Sequence, residues 1–397
     1  MTKLRGWLIV VVSACAMVAV GCGGSSSPRI NTIASTGQNV VAISVNGGPD
    51  GDYANGLFVS VTVCAPGTST CQTIPNVLVD TGSSGLRLLS SVMTVSLPQQ
   101  NGANGPVAEC LPFLSGFTWG PVQTADIQVG GESASSVPIQ AINETTFPVP
   151  SGCTNFGVPS MDSLQALGAN GLLGVGLFAQ DCGPACALSG SSNPGLYYQC
   201  PSSVCQVTAE PLTQQVQNPV AMFANDNNGV IIELPASGAP AASLGGSLVF
   251  GIGTQANNAL NAATVYTVDD FGNFTTSYKG QAYSSSFIDS GSNGYFFLDS
   301  STTGIPDCGS ATGFYCPSST QNLSATNQGA NGASGTVNFS VGNAETLFAN
   351  EADFVFGTLG GPGQDFDWGL PFFYGRNVFT AIEGKSTPGG SGPYWAY

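Results

Sequence analysis

The feature of this chain that most constrains its fold is an approximate duplication. Val77-Leu78-Val79 leads into Asp80-Thr81-Gly82-Ser83-Ser84-Gly85. Phe287-Ile288 leads into Asp289-Ser290-Gly291-Ser292-Asn293-Gly294, with Asp289 lying 209 residues after Asp80. Each copy is an apolar strand that delivers an aspartate, then a hydroxyl residue, a glycine and a second hydroxyl residue. One Asp-Thr-Gly taken alone is equally a strand-ending turn. Two copies, each after an apolar strand and half a chain apart, point to two similar halves that meet.

Such a pair has a direct chemical use. Gly82 and Gly291 allow a tight turn and the close approach of a facing chain. The hydroxyls of Thr81, Ser83, Ser290 and Ser292 can bond the opposite loop or the carboxylates. Two loops set face to face place Asp80 and Asp289 in contact. Like charges that close cannot both ionise, so one proton is shared. The dyad can then deprotonate a water with one carboxylate and protonate a carbonyl with the other, with no metal and no cofactor.

Composition excludes the main rivals. The chain of 397 residues has no histidine. Ser-His-Asp and Cys-His hydrolases need an imidazole base, and most catalytic zinc sites need imidazole ligands. Lys and Arg number 7 against 23 Asp and Glu, a net charge of −16. A chain so acidic is a poor partner for nucleic acid, which is held through many basic side chains. Hydrophobic residues make up 42%, enough to bury a core in two domains or lobes.

The first residues read as an address. Lys3 and Arg5 precede an apolar run from Trp7 to Val20, the pattern of a secretory signal over residues 1–21. The run ends in Ala19-Val20-Gly21-Cys22, which resembles a bacterial lipobox. On that resemblance cleavage precedes Cys22, whose sulfur takes a diacylglycerol, and residues 22–37 form a Gly/Ser-rich tether. The mature chain keeps five basic residues, Arg29, Arg87, Lys279, Arg376 and Lys385, against the same 23 acids, giving −18.

Cysteine usage agrees with export. Of 12 cysteines, Cys15 lies in the signal and Cys22 is the lipid site, which leaves ten for disulfides in an oxidising compartment. Spacing suggests Cys64–Cys71 and Cys308–Cys316 as local loops and Cys110–Cys153 as a longer bridge. Cys182, Cys186, Cys200 and Cys205 form two further bonds, nested or sequential, with a zinc cluster as the rival arrangement.

Along the chain the period is two. Leu57, Val59, Val61 and Val63 alternate with Phe58, Ser60 and Thr62, as do Val337, Phe339 and Val341 with Thr336, Asn338 and Ser340. Gly, Pro, Asn and Ser punctuate the strands about every ten residues. Met161–Ala166 and Leu212–Phe223 are the best helical stretches. The whole reads as a mostly β protein.

On these residues the sequence resembles the pepsin-like aspartic proteases, the established case of the shared-proton dyad. The resemblance extends beyond the two aspartate motifs. Leu57–Val63 with the Asp80 strand is similar to that family's opening hairpin. Ala125-Asp126-Ile127-Gln128-Val129-Gly130-Gly131 is similar to the strand after its flap. Asn170-Gly171-Leu172-Leu173-Gly174-Val175-Gly176 resembles the first ψ-loop, and Gly246-Ser247-Leu248-Val249-Phe250-Gly251 the strand entering the second lobe. Trp368-Gly369-Leu370-Pro371-Phe372-Phe373 and Asn377-Val378-Phe379-Thr380 resemble the second ψ-loop and its following strand.

Two positions depart from the pattern. Where the family's flap carries a tyrosine that helps position substrate, this chain has Phe113, within a segment that includes Phe117 and Trp119. Trp119 offers an N–H donor nearby. Arg87 stands where the family has tryptophan. A cation beside the dyad would favour ionised carboxylates, whereas one turned to water or paired with other acids would leave the dyad alone.

The resemblance implies a bilobal fold of two pseudo-symmetric β-barrel-like lobes, residues 38–210 and 211–397, with a cleft between them. It implies a lipid-anchored, acid-favouring endopeptidase in which Asp80 and Asp289 activate water. Thr81, Gly82, Ser83, Ser290, Gly291 and Ser292 support the dyad, and Phe113, Phe117, Trp119 and Arg87 face an extended peptide or unfolded protein. A monomer is expected, held on the outer membrane toward the periplasm or the cell surface. The alternative is a catalytically silent module that binds a protein or glycan in the cleft. A glycosidase is weaker, because its carboxylate pair carries no twin Asp-Thr-Gly loops.

Overall fold

The computed structural model describes residues 33, 34, 36–202 and 204–397. The expected signal segment, Cys22 and the tether up to residue 32 lie outside the described residues.

Four strands open the described chain: β1 (Val40–Asn46), β2 (Gly56–Cys64), β3 (Cys71–Asp80) and β4 (Ser84–Leu89). The alternation in β2 is the one read from sequence. Leu57, Val59, Val61 and Val63 are buried in the main hydrophobic core, while Ser60 faces solvent. β2 and β3 pair antiparallel, with Cys64 opposite Cys71.

The sheet continues through distant parts of the chain. β1 pairs with Leu244–Phe250, which pairs with Gly229–Leu234, which in turn pairs with Arg376–Ala381. These strands belong to one large sheet of 16 strands. A second sheet of seven strands is built within residues 274–368. Its core is an aromatic stack in which Trp368 packs on Phe366, Phe339 and Tyr295.

The duplication in sequence reappears as duplicated topology. Gly171–Val175 runs parallel to β3, with Asp80 opposite Gly174, and antiparallel to β4, with Ser84 opposite Val175. It therefore threads between the two arms of the Asp80 loop. Phe366–Trp368 does the same at the second loop, parallel to Gln281–Ile288 and antiparallel to Tyr295–Phe297. Each aspartate thus leaves the end of a strand clamped on both sides, which fixes where its carboxyl points.

The helical expectations change. In place of the first stretch, Met161–Ala166, the helix is the short Leu164–Leu167, capped by Ser163 and stopped at Gly168, whose φ is +68°. Leu212–Phe223 forms two short 3-10 turns rather than a helix. Pro219 interrupts the backbone ladder. Gln217 turns its amide onto the Leu212 and Gln215 carbonyls of the segment itself, and Gln215 turns its amide onto those of Glu210 and Gly183.

All ten expected cysteines are paired, as Cys64–Cys71, Cys110–Cys153, Cys182–Cys186, Cys200–Cys205 and Cys308–Cys316. The bonds among residues 182–205 are sequential and local, so the nested arrangement and the zinc cluster are set aside. Five disulfides are the signature of an extracytoplasmic protein. Among the described residues, no helix is long and apolar enough to cross a membrane.

Candidate active site

The two aspartate loops meet face to face and lock through their backbones. Thr81 N–H donates to Ser290 Oγ at 3.1 Å, and Ser290 N–H donates to Thr81 Oγ1 at 2.9 Å. Each hydroxyl also reaches across to the strand that delivers the other aspartate. Ser290 Oγ donates to Val79 O at 2.7 Å and Thr81 Oγ1 to Ile288 O at 3.3 Å. Asp80 and Asp289 therefore sit on a crossed pair of loops in which neither can shift alone.

The carboxyls are in contact. Gly82 N–H donates to Asp80 Oδ1 at 2.8 Å and reaches Asp289 Oδ1 at 3.2 Å. Gly291 N–H donates to Asp289 Oδ1 at 2.7 Å. Ser83 Oγ donates to Asp80 Oδ2, and Ser292 Oγ lies 3.0 Å from Asp289 Oδ2. One N–H, that of Gly82, thus lies within hydrogen-bond reach of an oxygen of each carboxyl, which sets the two side by side. Glycine is required at both turns by close approach: a Cβ at Gly82 would stand 2.6 Å from Asp289 Cγ, and one at Gly291 would stand 2.9 Å from Asp80 Oδ1. Burial first, and then the Asp80 charge, hold the Asp289 carboxyl well above the usual carboxylate range. A pair so placed carries a proton under conditions where a free aspartate would not.

The dyad opens onto a cleft of about 1370 Å³. That exceeds the roughly 300–1,000 Å³ of ordinary small-ligand pockets. Tyr53, Phe113, Leu114, Asp181, Phe271 and Phe314 are among its lining residues. Phe113 to Gly116 forms the tip of the hairpin that joins Gly105–Pro112 to Phe117–Val129, closed by Phe113 N–H to Gly116 O at 2.7 Å. Leu114 at this tip is 81% exposed, and Phe271, also in the lining, is 82% exposed.

Three expected substrate contacts are corrected. Trp119 is buried, and its indole N–H donates to Phe147 O at 3.0 Å rather than into the cleft. Phe117 is buried in the same cluster, with Phe147 and Tyr198. Alternate side chains of this hairpin face away from the cleft, and the hairpin meets it through Leu111 and Pro112 and the tip residues Phe113, Leu114 and Ser115. Arg87 is fully buried, 2.8 Å from both Glu109 Oε1 and Asp181 Oδ2. Its guanidinium lies 6.0 Å from the Phe113 ring centre, behind the hairpin tip. Burial opposes its charge, but Glu109 and Asp181 hold its pKa above the ordinary value. Asp181 is raised in turn, by burial and then by Glu109. Arg87 is thus consumed by two acids and, among the described residues, no salt bridge reaches the dyad.

The model of a family described as Protein of unknown function (DUF3443) matches residues 35–397. The chain belongs to this family. No curated protein matches the sequence. Among solved structures, the chain is similar to the aspartic proteinase from Irpex lacteus, with a TM-score of 0.50 and 15% identity over 90% of this chain and 96% of that one. At that identity the likeness speaks for the fold, which is mostly β, bilobal and pepsin-like.

Two residues of this DUF3443 chain join the site unannounced by sequence reasoning. Asp367 is buried immediately behind the dyad, with Ser292 Oγ at 2.5 Å from its Oδ2. Burial, opposed by the Ser292 bond and helped by the Asp80 charge, pushes its carboxyl up to about 8. A signal existed: the matching strand of the first half reads Leu172-Leu173, whereas here an acid interrupts Phe366-Asp367-Trp368. Tyr53 lines the cleft from the turn before β2. Burial, then the Asp289 and Asp80 charges, raise its phenol. The turn is tied to the second loop by Asn55 Nδ2, which donates to Asn293 O at 2.8 Å. Nothing in the local sequence separates Tyr53 from an ordinary surface tyrosine.

Proposed function

We propose that this protein is an aspartic-type endopeptidase. The observation that carries the reading is the pair of interlocked loops that set Asp80 and Asp289 side by side, within reach of one Gly82 N–H, in the lining of a large cleft. A water held between the carboxyls gives its proton to the ionised one as its oxygen attacks the scissile carbonyl carbon. The protonated partner gives its proton to the carbonyl oxygen. Collapse of the tetrahedral adduct returns a proton to the leaving amine, so water has been added across the C–N bond and the dyad is restored. Ser83 and Ser292 orient the carboxyls, and Gly82 and Gly291 admit them to each other. An extended peptide lies along the cleft against Phe113, Leu114 and Phe271. Phe113 has no hydroxyl to offer, whereas Tyr53 brings a phenol into the cleft lining where the charges of Asp289 and Asp80 reach it.

Digestion of an unfolded protein between about pH 3 and pH 7 tests this reading, since the dyad must hold one proton. Cleavage that is blocked by a pepstatin-type inhibitor and lost in Asp80→Asn and Asp289→Asn supports it. A wild-type protein that binds polypeptide in the cleft without cleaving it supports the catalytically silent module. We also propose that Cys22 is lipidated and holds a monomer at the cell envelope. Incorporation of labelled fatty acid, lost in Cys22→Ser, tests the anchor.

A further inference from the structure

The second aspartate loop differs from the first in how many carboxylates its serine serves. Ser83 Oγ serves one, through Asp80 Oδ2. Ser292 Oγ stands 3.0 Å from Asp289 Oδ2 and 2.5 Å from Asp367 Oδ2. A serine hydroxyl carries one proton. It cannot donate to both oxygens, so at one contact the carboxyl itself carries a proton and donates to Oγ.

The geometry selects Asp367. Asp289 Oδ1 accepts the N–H groups of Gly291 at 2.7 Å and Gly82 at 3.2 Å, bonds that favour a charged carboxylate. Asp367 Oδ1, by contrast, is buried without a partner. A bare buried carboxylate oxygen is costly, and the carbonyl oxygen of a neutral acid is far less so.

We propose that Asp367 is a third proton-holding carboxyl of the site, which donates to Ser292 Oγ and so commits the single Ser292 proton to Asp289. It is a positioning residue for the dyad, and its effect on turnover rests on the peptidase reading above. The groups around it are acids and phenols. Asp289 comes from the end of Gln281–Ile288, Asp80 from the facing loop, and Asp365 from the start of its own segment, where it accepts Ser285 N–H at 3.4 Å. Tyr283 packs its ring on Phe366, and Tyr295 lies on the adjoining strand, where Arg376 acts on it. Tyr53 lines the same cleft, where burial and then the charges of Asp289 and Asp80 raise its phenol. Among the described residues, no salt bridge reaches Asp367.

When Asp367 ionises, it competes for the Ser292 proton and draws it away from Asp289, which then loses the bond that orients it. Cleavage therefore declines on the alkaline side as Asp367 loses its proton.

Infrared difference spectra of the intact protein with isotope-labelled aspartate carboxyls provide a readout that needs no turnover. Wild type at about pH 6 is expected to show a carboxylic-acid carbonyl band that Asp367→Asn lacks and that wild type loses on passing about pH 8. The amide of D367N still offers Ser292 a donor but adds no charge, so the alkaline decline of cleavage moves to higher pH. Identical acid bands in wild type and D367N, or identical alkaline limbs, would overturn the proposal. A band that behaves as expected in a protein without peptidase activity keeps the proton on Asp367 and sinks the peptidase reading alone. Should D367N not fold, carboxyl-carbon NMR of wild type decides: a buried aspartate titrating near 8 supports the assignment, and its absence overturns it.

Discussion

At the scale of single residues, the site is built by close approach, and its tolerances are tight. Gly82→Ala would place a methyl 2.6 Å from Asp289 Cγ, so the two loops must separate. The expected result is a folded protein, since the loops lie at the cleft surface, with cleavage reduced at least about 100-fold by misplacement of the dyad. Circular dichroism and a cleavage assay check both halves of that statement. Arg87 makes a different prediction. Replacing it with Met leaves Glu109 and Asp181 buried without their cation, which costs about 3–5 kcal/mol. Thermal unfolding should show a lower Tm for R87M, with no gain of charge at the dyad. Sequence reasoning reached Asp80, Asp289 and their flanking hydroxyls because a duplicated motif is a local signal. It left open whether Arg87 faced the dyad. Whether a charge points into a cleft or behind it depends on Glu109 and Asp181, which lie 22 and 94 positions away. Asp367 was missed because a lone acid in an apolar run has no partner that a linear pattern can name.

At the scale of elements, the threading strands Gly171–Val175 and Phe366–Trp368 do the positioning. Each pairs parallel with the strand that leads into its aspartate and antiparallel with the strand that leaves it. The alternating strands and the apolar segments of both loops were legible in the sequence, because period-two burial writes itself into composition. The faces of the flap hairpin were not. Phe117 and Trp119 were expected over the substrate, and a two-residue period cannot say which face is the cleft until the neighbouring sheet is known. The same hairpin carries the Cys110–Cys153 bridge, whose sequence separation is 43. Loop-closure entropy gives such a bridge about 4 kcal/mol. Cys110→Ser with Cys153→Ser should therefore lower Tm markedly, and faster proteolysis within residues 105–160 would locate the loosened part.

At the scale of the whole molecule, buried acids set the response to pH. Burial pushes Asp367 up to about 8 and Glu210 up to about 7, and Asp289 is raised as well. Free carboxyls titrate near 4. Between those limits the unfolded chain has released protons that the folded chain still holds. Fewer protons on the unfolded state means that stability falls as pH rises. The fold is expected to be more stable near pH 4 to 5 than near pH 8, with a Tm difference of at least several degrees, about 2–4 °C for each kcal/mol. Calorimetry across that range checks the sign. A Tm that rises toward pH 8 would contradict the buried-acid account. The absence of histidine, read at first as a list of exclusions, fits the same picture, since carboxyls alone carry the proton chemistry proposed here.

The central claim is that two carboxyls set side by side in the lining of the cleft hydrolyse peptide bonds. Its most direct test is digestion of a denatured protein by the purified chain at about pH 4, with wild type, Asp80→Asn and Asp289→Asn side by side. The account predicts new peptide termini with wild type and none with either variant, while all three keep the same circular dichroism. Intact substrate after incubation with wild type, or equal cleavage by the variants, would contradict it.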